Sequence, residues 1–191
     1  SRPRAGHDAR RPNRRMDYTS VFFSSLLSLM PVPVALRHRR IRVIGSPMFI
    51  VSTPDLVIAQ CKAGIVGSFP ALNARPARVL EEWLQRITRE LAEWDAAHPD
   101  RPAAPFAVNQ IVHKSHDRLM HDLDLCVKYK VPVVITSLGA RTDVNDAIHS
   151  YGGIVLHDII NNTFARQATE KRPAGLIAVA ARPGCQQVTP S

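Results

Sequence analysis

Cysteine is scarce in this sequence, and its spacing excludes several kinds of small or secreted protein. The three cysteines, Cys61, Cys126 and Cys185, lie far apart and form no Cys-x-x-Cys pair. This pattern fits neither a disulfide framework nor a zinc knuckle. We expect Cys61 and Cys126 to be small core residues in a reducing compartment, which predicts a cytoplasmic location. No apolar run is long enough to span a bilayer, so we expect no membrane partner.

The sequence also lacks the short motifs of several large enzyme classes. There is no Gly-x-Gly-x-x-Gly after a predicted strand, no P-loop, no Gly-x-Ser-x-Gly and no obvious pair of carboxylates. These absences argue against a Rossmann dinucleotide site, a P-loop nucleotidase and a serine hydrolase. Three clustered histidines do not share one helix face, since His113 ends a predicted strand and His116 and His121 are five residues apart. We therefore expect no metal site.

Acidic residues are rare in the first part of the chain, which carries most of the net charge. Residues 1–42 hold ten of the 25 Lys and Arg but two of the 16 Asp and Glu, and so contribute +8 of the net +9. A nucleic-acid footprint should lie on the folded face, and the remaining residues are nearly neutral, so we expect no nucleic-acid partner. Residues 1–38 are expected to be a disordered or non-native leader. The alternatives are a secretory signal, or upstream sequence translated before Met16 or Met30.

From residue 41 onward, short apolar runs alternate with helical patterns. The clearest helix, 73–94, places large apolar residues and both tryptophans at helical spacing, opposite charged residues. Thr53, Ser115 and Asn162 are predicted to cap helices. The rhythm predicts an α/β protein, either an open doubly wound sheet or a (βα)8 barrel of the TIM type. The predicted strands cover residues 41–44, 65–69, 106–112, 131–135, 154–156 and 175–180.

Six βα units do not close an eight-stranded barrel. If the chain is a barrel, about the first six units are present and the first and sixth strands have open edges. Open parallel edges and a core without its last strands predict poor solubility or self-association.

The residues at the predicted strand ends are the best site candidates, because barrel enzymes carry their chemistry there. The first strand ends in residues 45–49 (Gly-Ser-Pro-Met-Phe), and the third contains Asn109 within an apolar run. A buried amide must be hydrogen-bonded, and at a strand end its partner can be a ligand. His157 and Asp158 follow the fifth strand, and we expect both side chains at the mouth. From these residues alone, the sequence indicates a barrel that binds a phosphorylated small molecule.

Several stretches resemble the nitronate monooxygenase family, formerly called 2-nitropropane dioxygenases, and the match runs from about residue 40 to residue 181. The resemblance implies a TIM barrel with an inserted smaller domain and non-covalent FMN. It implies an oxidation of alkyl nitronates with O2 to a carbonyl compound and nitrite, with the nitronate and O2 as small-molecule partners. The stretches are 45–49, 59–76, 108–114, 134–139 and 149–158.

The resemblance also assigns cofactor-binding residues. Ser46, Pro47 and Met48 would contact the flavin mainly through their backbone, and Asn109 matches the flavin-side Asn of the family. Two further residues, Ser137 and Asp158, would face the same cavity from the ends of their strands.

The end of the sequence departs from the family. Where the family has a Gly-rich loop with its catalytic His, residues 182–191 read Arg-Pro-Gly-Cys-Gln-Gln-Val-Thr-Pro-Ser. No residue here takes that role, so we assign no catalytic residue and expect a frame slip or truncation with little or no activity. The expected domains are a leader (1–38), a partial flavin-binding barrel (39–181) and an aberrant tail (182–191). The alternatives are an enoyl reductase-like or IMP dehydrogenase-like flavin barrel, or a non-catalytic remnant.

Overall fold

The computed structural model of the protein describes residues 43–113 and 117–179. The predicted leader (1–38), the tail (182–191) with Cys185, and the predicted cap Ser115 therefore lie outside the described residues.

The described chain folds around one parallel sheet whose strands follow their order in the sequence. Each strand pairs in parallel with the next, and an isolated parallel bridge between Ile44 and Val66 continues the sheet beyond the first strand. A doubly wound sheet would reverse its strand order at a switch point, whereas a barrel adds each new strand on the same side. The α/β fold of the barrel type is thus confirmed. The strands are β1 (Gly67–Pro70), β2 (Phe106–Ile111), β3 (Val133–Ser137), β4 (Ile154–Ile159) and β5 (Gly175–Ala178).

The helices cover one face of this sheet. A single apolar cluster joins buried residues of the first four helices to Phe69, Val108, Val134 and Val155 of the strands. Successive parallel crossovers of one hand place the helices on the same side of a sheet, which explains why one cluster joins these four helices. The helices are α1 (Pro54–Lys62), α2 (Val79–Ala97), α3 (Leu119–Lys128), α4 (Thr142–His149) and α5 (Asn162–Glu170).

The opposite face of the sheet, here called the inner face, has its own smaller apolar cluster. Its buried members include Ala107, Val133, Ile135 and Leu156, and no residue of a described helix belongs to it. The two clusters alternate along each strand, as the two-residue period of a strand requires. Toward the carboxyl ends of β3 and β4, the inner positions change from apolar to polar residues, and β2 has one polar inner position, Asn109.

Every described strand, and the helix predicted at 73–94, has a boundary that differs from the sequence-based prediction by one to six residues, and two of these differences are the most informative. The helix predicted at 73–94 begins at Val79, because Pro76 disfavours the helical conformation of Arg75 and Asn73 is used in a loop contact instead. The strand predicted at 131–135 runs over Val133–Ser137.

Two predicted caps also differ. Thr53 precedes α1 but makes no side-chain cap hydrogen bond. The cap of α5 is Asn161 rather than Asn162, because the Asn161 side chain accepts from the Phe164 N–H at 3.0 Å.

The packing of α2 on the sheet gives a direct test of this core. Leu84 is fully buried, whereas Thr88 lies one turn further along α2 and is exposed. We expect Leu84→Ala to lower the free energy of unfolding by about 2–5 kcal/mol, because it removes buried methyl groups and leaves a cavity. Thr88→Ala should change it by about 0.5 kcal/mol or less. Urea unfolding would measure both, and equal effects would contradict the described packing.

Candidate functional site

A row of three hydrogen-bonded side chains lies on the inner face at the carboxyl ends of β2, β3 and β4. The Asn109 Nδ2 group donates to the Ser137 Oγ at 2.7 Å and to the backbone carbonyl of Ile135 at 3.1 Å. The Ser137 hydroxyl donates in turn to the Asp158 Oδ2 at 2.5 Å. Three residues predicted from separate strands are thereby brought together in one polar row, defined here as Asn109, Ser137 and Asp158.

The carboxyl group of Asp158 is the charged member of this row. Burial raises the pKa of Asp158 above its ordinary value. Three weaker effects oppose this by favouring the ionised form: the Ser137 hydroxyl bond, the field of His157 and the backbone N–H of Leu138. The row therefore places a partly buried acid, already bonded on one oxygen, at the end of a strand.

The loop that follows Ile44 lies at the same edge of the sheet, where it is hydrogen-bonded to β1. The Ser68 hydroxyl donates to the carbonyl of Gly45, and the Gly45 N–H donates to the Val66 carbonyl at 2.8 Å. A Cβ at Gly45 would lie 2.5 Å from the Gln60 Nε2, so a larger residue there would require the Gln60 side chain to move. These contacts fix the start of the predicted flavin-contacting segment.

Asn73 holds the rest of this loop in place. Its Nδ2 donates to the carbonyls of Met48 and Ser52 at 3.0 Å, and its Oδ1 accepts from the Ile50 N–H at 3.0 Å. This role was not predicted, because the helical pattern assigned to residues 73–94 included Asn73. The available signal was the stretch Asn-Ala-Arg-Pro, since Asn and Pro both favour loops over helices.

The clamped loop displays a run of apolar side chains. Met48, Phe49, Ile50 and Val51 are 41%, 50%, 74% and 58% exposed. Ile50 has a φ of 65°, a left-handed conformation that is rare for a β-branched residue. A run of exposed apolar residues on a rigidly held loop is typical of a surface that contacts a ligand or another molecule.

The six predicted site residues fall into two groups. Asn109, Ser137 and Asp158 are joined by direct hydrogen bonds, as described above. Ser46, Pro47 and Met48 belong to the loop at the β1 end, and the described hydrogen bonds link that loop to Ser68 and Asn73 rather than to the polar row. Contact of all six with a flavin stays a prediction.

The expectation that His157 and Asp158 both face the mouth is wrong for His157. Strand β4 continues through both residues to Ile159, so consecutive side chains point to opposite faces. His157 is 4% exposed on the helix-covered side, with its Nδ1 at 2.7 Å from the Thr136 Oγ1. Burial lowers the pKa of His157, against the opposing field of Asp158.

Cys61 and Cys126 are buried and form no disulfide, and their burial agrees with the prediction that they are core residues. The Cys126 Sγ lies 3.4 Å from the Gln110 Nε2, and burial raises the pKa of this thiol to about 12. A thiol with such a pKa stays protonated and unreactive. Across residues 43–113 and 117–179, no cluster of His, Cys, Asp and Glu could hold a metal ion, and no helix has the length and apolarity for a membrane span.

Comparison with known proteins identifies the fold and leaves the family to be inferred. No family model and no curated protein matches the sequence. Among solved structures, FabK from Thermotoga maritima matches with a TM-score of 0.61 and 21% identity over 75% of this chain and 42% of FabK. Nitroalkane oxidase from Streptomyces ansochromogenes matches with a TM-score of 0.57 and 19% identity over 81% of this chain and 48% of that enzyme.

These likenesses agree with the topology described above. Identities near 20% establish a shared fold, and the chain spans less than half the length of either solved structure. The chain thus has the fold of part of a parallel α/β barrel that is also found in FabK and nitroalkane oxidase.

The buried His157 predicts a specific pH dependence of stability. Because its folded-state pKa is lowered from 6.5, its contribution is present above pH 6.5 and is lost as the pH falls toward the folded-state pKa. We therefore expect the free energy of unfolding of the wild type to fall, relative to that of His157→Gln, as the pH is lowered from 7.5 to 5.5. Urea unfolding at both pH values tests this, with the exposed His149→Gln as the control for loss of an imidazole. A pH-independent difference between wild type and His157→Gln would contradict it.

The Asn73 clamp predicts a local opening when it is removed. Asn73→Ala deletes three hydrogen bonds to the 48–52 loop, so we expect faster chymotrypsin cleavage after the exposed Phe49. Asn161→Ala removes a single hydrogen bond at the start of α5 and is the matched control. Equal cleavage rates at Phe49 in the two variants would show that Asn73 does not hold the loop.

Proposed function

We propose that this chain is the FMN-binding part of a nitronate monooxygenase, which oxidises an alkyl nitronate with O2 to a carbonyl compound and nitrite. The observation that carries the proposal is the polar row of Asn109, Ser137 and Asp158 at the carboxyl ends of adjacent parallel strands. In barrels of this type, ligands bind at that end. The structural likeness to a nitroalkane oxidase and the matching sequence stretches support the choice of substrate class.

The described residues fit a flavin ring in two respects. The ring is a flat, largely apolar body with one polar edge, and the site offers an apolar loop (Met48 to Val51) and a polar row. Asn109, Ser137 and Asp158 would hold the polar edge, and Ser46, Pro47 and Met48 would contact the ring through their backbone. The carboxylate of Asp158 would repel a phosphate, so the row suits the ring rather than the phosphate end.

The bound flavin would supply the electron-transfer chemistry, and the protein would supply binding and orientation. His157 does not provide an acid or base at this site, because it lies on the opposite face of the sheet and is hydrogen-bonded to Thr136. We therefore propose no catalytic residue among the described ones, in agreement with the sequence analysis.

Three related proposals complete this assignment. FabK shares the fold as well, so an enoyl reductase-like or IMP dehydrogenase-like flavin barrel is the alternative. Self-association would use the outer edge of β5, which pairs only with β4 among the described strands and exposes Leu176. A cytoplasmic location remains a prediction.

Two measurements separate the candidate functions. Nitrite release from a nitronate under air identifies a nitronate monooxygenase, whereas nitronate-independent consumption of NAD(P)H identifies a reductase. A chain that binds no FMN would favour a non-catalytic role.

Binding of FMN can be tested without turnover. We expect the wild type to quench FMN fluorescence on titration, and Asn109→Leu to weaken binding by about tenfold, which corresponds to losing roughly 1.4 kcal/mol from one buried hydrogen bond. Gln110→Leu, its neighbour on the helix-covered side, is the control because its amide bonds Cys126 and not the row. Equal affinities for the two variants would remove Asn109 from the site.

A further inference from the structure

The orientation of the Asn109 amide is determined by its neighbours. The backbone carbonyl of Ile135 lies 3.1 Å from the amide atom assigned as Nδ2. A carbonyl oxygen can only accept a hydrogen bond, so the facing atom must be the NH2 group. The flipped amide would place two oxygens at that distance and lose the bond.

The direction of the remaining bonds follows from that orientation. The second Nδ2 proton is directed at the Ser137 Oγ, which therefore accepts and must send its single proton elsewhere. The Asp158 Oδ2 receives it. The backbone N–H of Leu138 also interacts with the Asp158 carboxylate, which ties the acid to the end of β3. The hydrogen bonds thus run in one direction, from Asn109 through Ser137 to Asp158.

The group of Asn109 that takes no part in this series of hydrogen bonds is an acceptor, the amide oxygen. Both amide protons of Asn109 are used, and within the described residues no donor bonds its Oδ1. Asn109 is 7% exposed, and its Oδ1 is not a fully buried atom, so a ligand that displaces solvent from this oxygen must supply a hydrogen-bond donor.

We propose that Ser137 and Asp158 are positioning residues that lock the Asn109 amide with its oxygen free, so that this point of the site accepts a hydrogen bond from an N–H group of the ligand. Anionic ligand groups, such as a phosphate or the oxygens of a nitronate, are disfavoured here because they would meet the amide oxygen and the Asp158 carboxylate. If the proposed function is right, the donor is the N3–H of the oxidised flavin ring, which is the only N–H that this ring carries.

The first part of the test needs no ligand. The side-chain amide signals of Asn109 in a 15N-correlated NMR spectrum can be assigned by their loss in Asn109→Leu. We expect slow amide hydrogen exchange in the wild type, at least tenfold faster exchange in Ser137→Ala, and near wild-type exchange in Ser137→Thr, which restores the hydroxyl. Thr136→Val is the matched control, because it removes a neighbouring hydroxyl that bonds His157 on the other face. Unchanged Asn109 exchange in Ser137→Ala would overturn the positioning role.

The second part compares FMN with its N3-methyl analogue by fluorescence titration. We expect the methyl group to weaken binding by about tenfold or more in the wild type and to matter much less in Ser137→Ala. Equal wild-type affinities for the two flavins would overturn the donor assignment. Absence of FMN binding, together with a protected Asn109 amide, would overturn the proposed function while leaving the positioning role intact. Should Ser137→Ala fail to fold, Asp158→Leu removes the last member of the hydrogen-bonded row, and we expect the same faster exchange of the Asn109 amide.

Discussion

The two-residue period of the β-strand decides which side chains of this protein can meet a ligand. Ser137 and Asp158 lie on the inner face, while their neighbours Thr136 and His157 point toward the helices and bond each other. A register shift of one residue would exchange the two sets. Burial prevents the shift, because it would remove Val134 and Val155 from the helix-covered core and so lose the free energy of burying their apolar surface there. The polar row is thus held in place by apolar side chains that it never touches.

Because the parallel crossovers have one hand, the described helices lie on one side of the sheet and leave the inner face available for a binding site. The helices occupy one side of the sheet, and among the described residues the other side is packed by strand residues together with Ile44, Val66 and Ala104. Its apolar cluster fills the interior, and polar residues take over toward the carboxyl ends of β3 and β4 and at Asn109 of β2. A polar group at this position must find a partner, and the row satisfies most of its own groups internally. The donors of the row are therefore used without a ligand, and within the described residues no protein donor bonds the Asn109 Oδ1.

The sequence was informative where a polar residue interrupted an apolar run, and less so where the outcome depended on strand length. Asn109 stands out in such a run and could be predicted from the sequence pattern, whereas Ser137 lies two residues beyond the run 131–135 and was predicted only from the family resemblance. His157 and Asp158 were misread as a pair because the predicted strand stopped at residue 156, whereas β4 runs to Ile159 and separates them by alternation. Asn73 was hidden because helical periodicity shows that a helix exists but does not show where its first turn begins.

The loop clamped by Asn73 shows how a locally unfavourable conformation is kept. A β-branched residue in the left-handed region costs about 1–3 kcal/mol, and Ile50 adopts it with a largely exposed side chain. Each of the three Asn73 hydrogen bonds contributes about 0.5–1.5 kcal/mol net. The two totals are of similar size, so the Asn73 hydrogen bonds can offset much of the strain. The Ser52 hydroxyl adds a further contact, because it accepts from the Met48 N–H at 3.0 Å. Backbone strain that is held by dedicated polar contacts is found mostly at functional sites, which supports a role of this loop in binding a ligand.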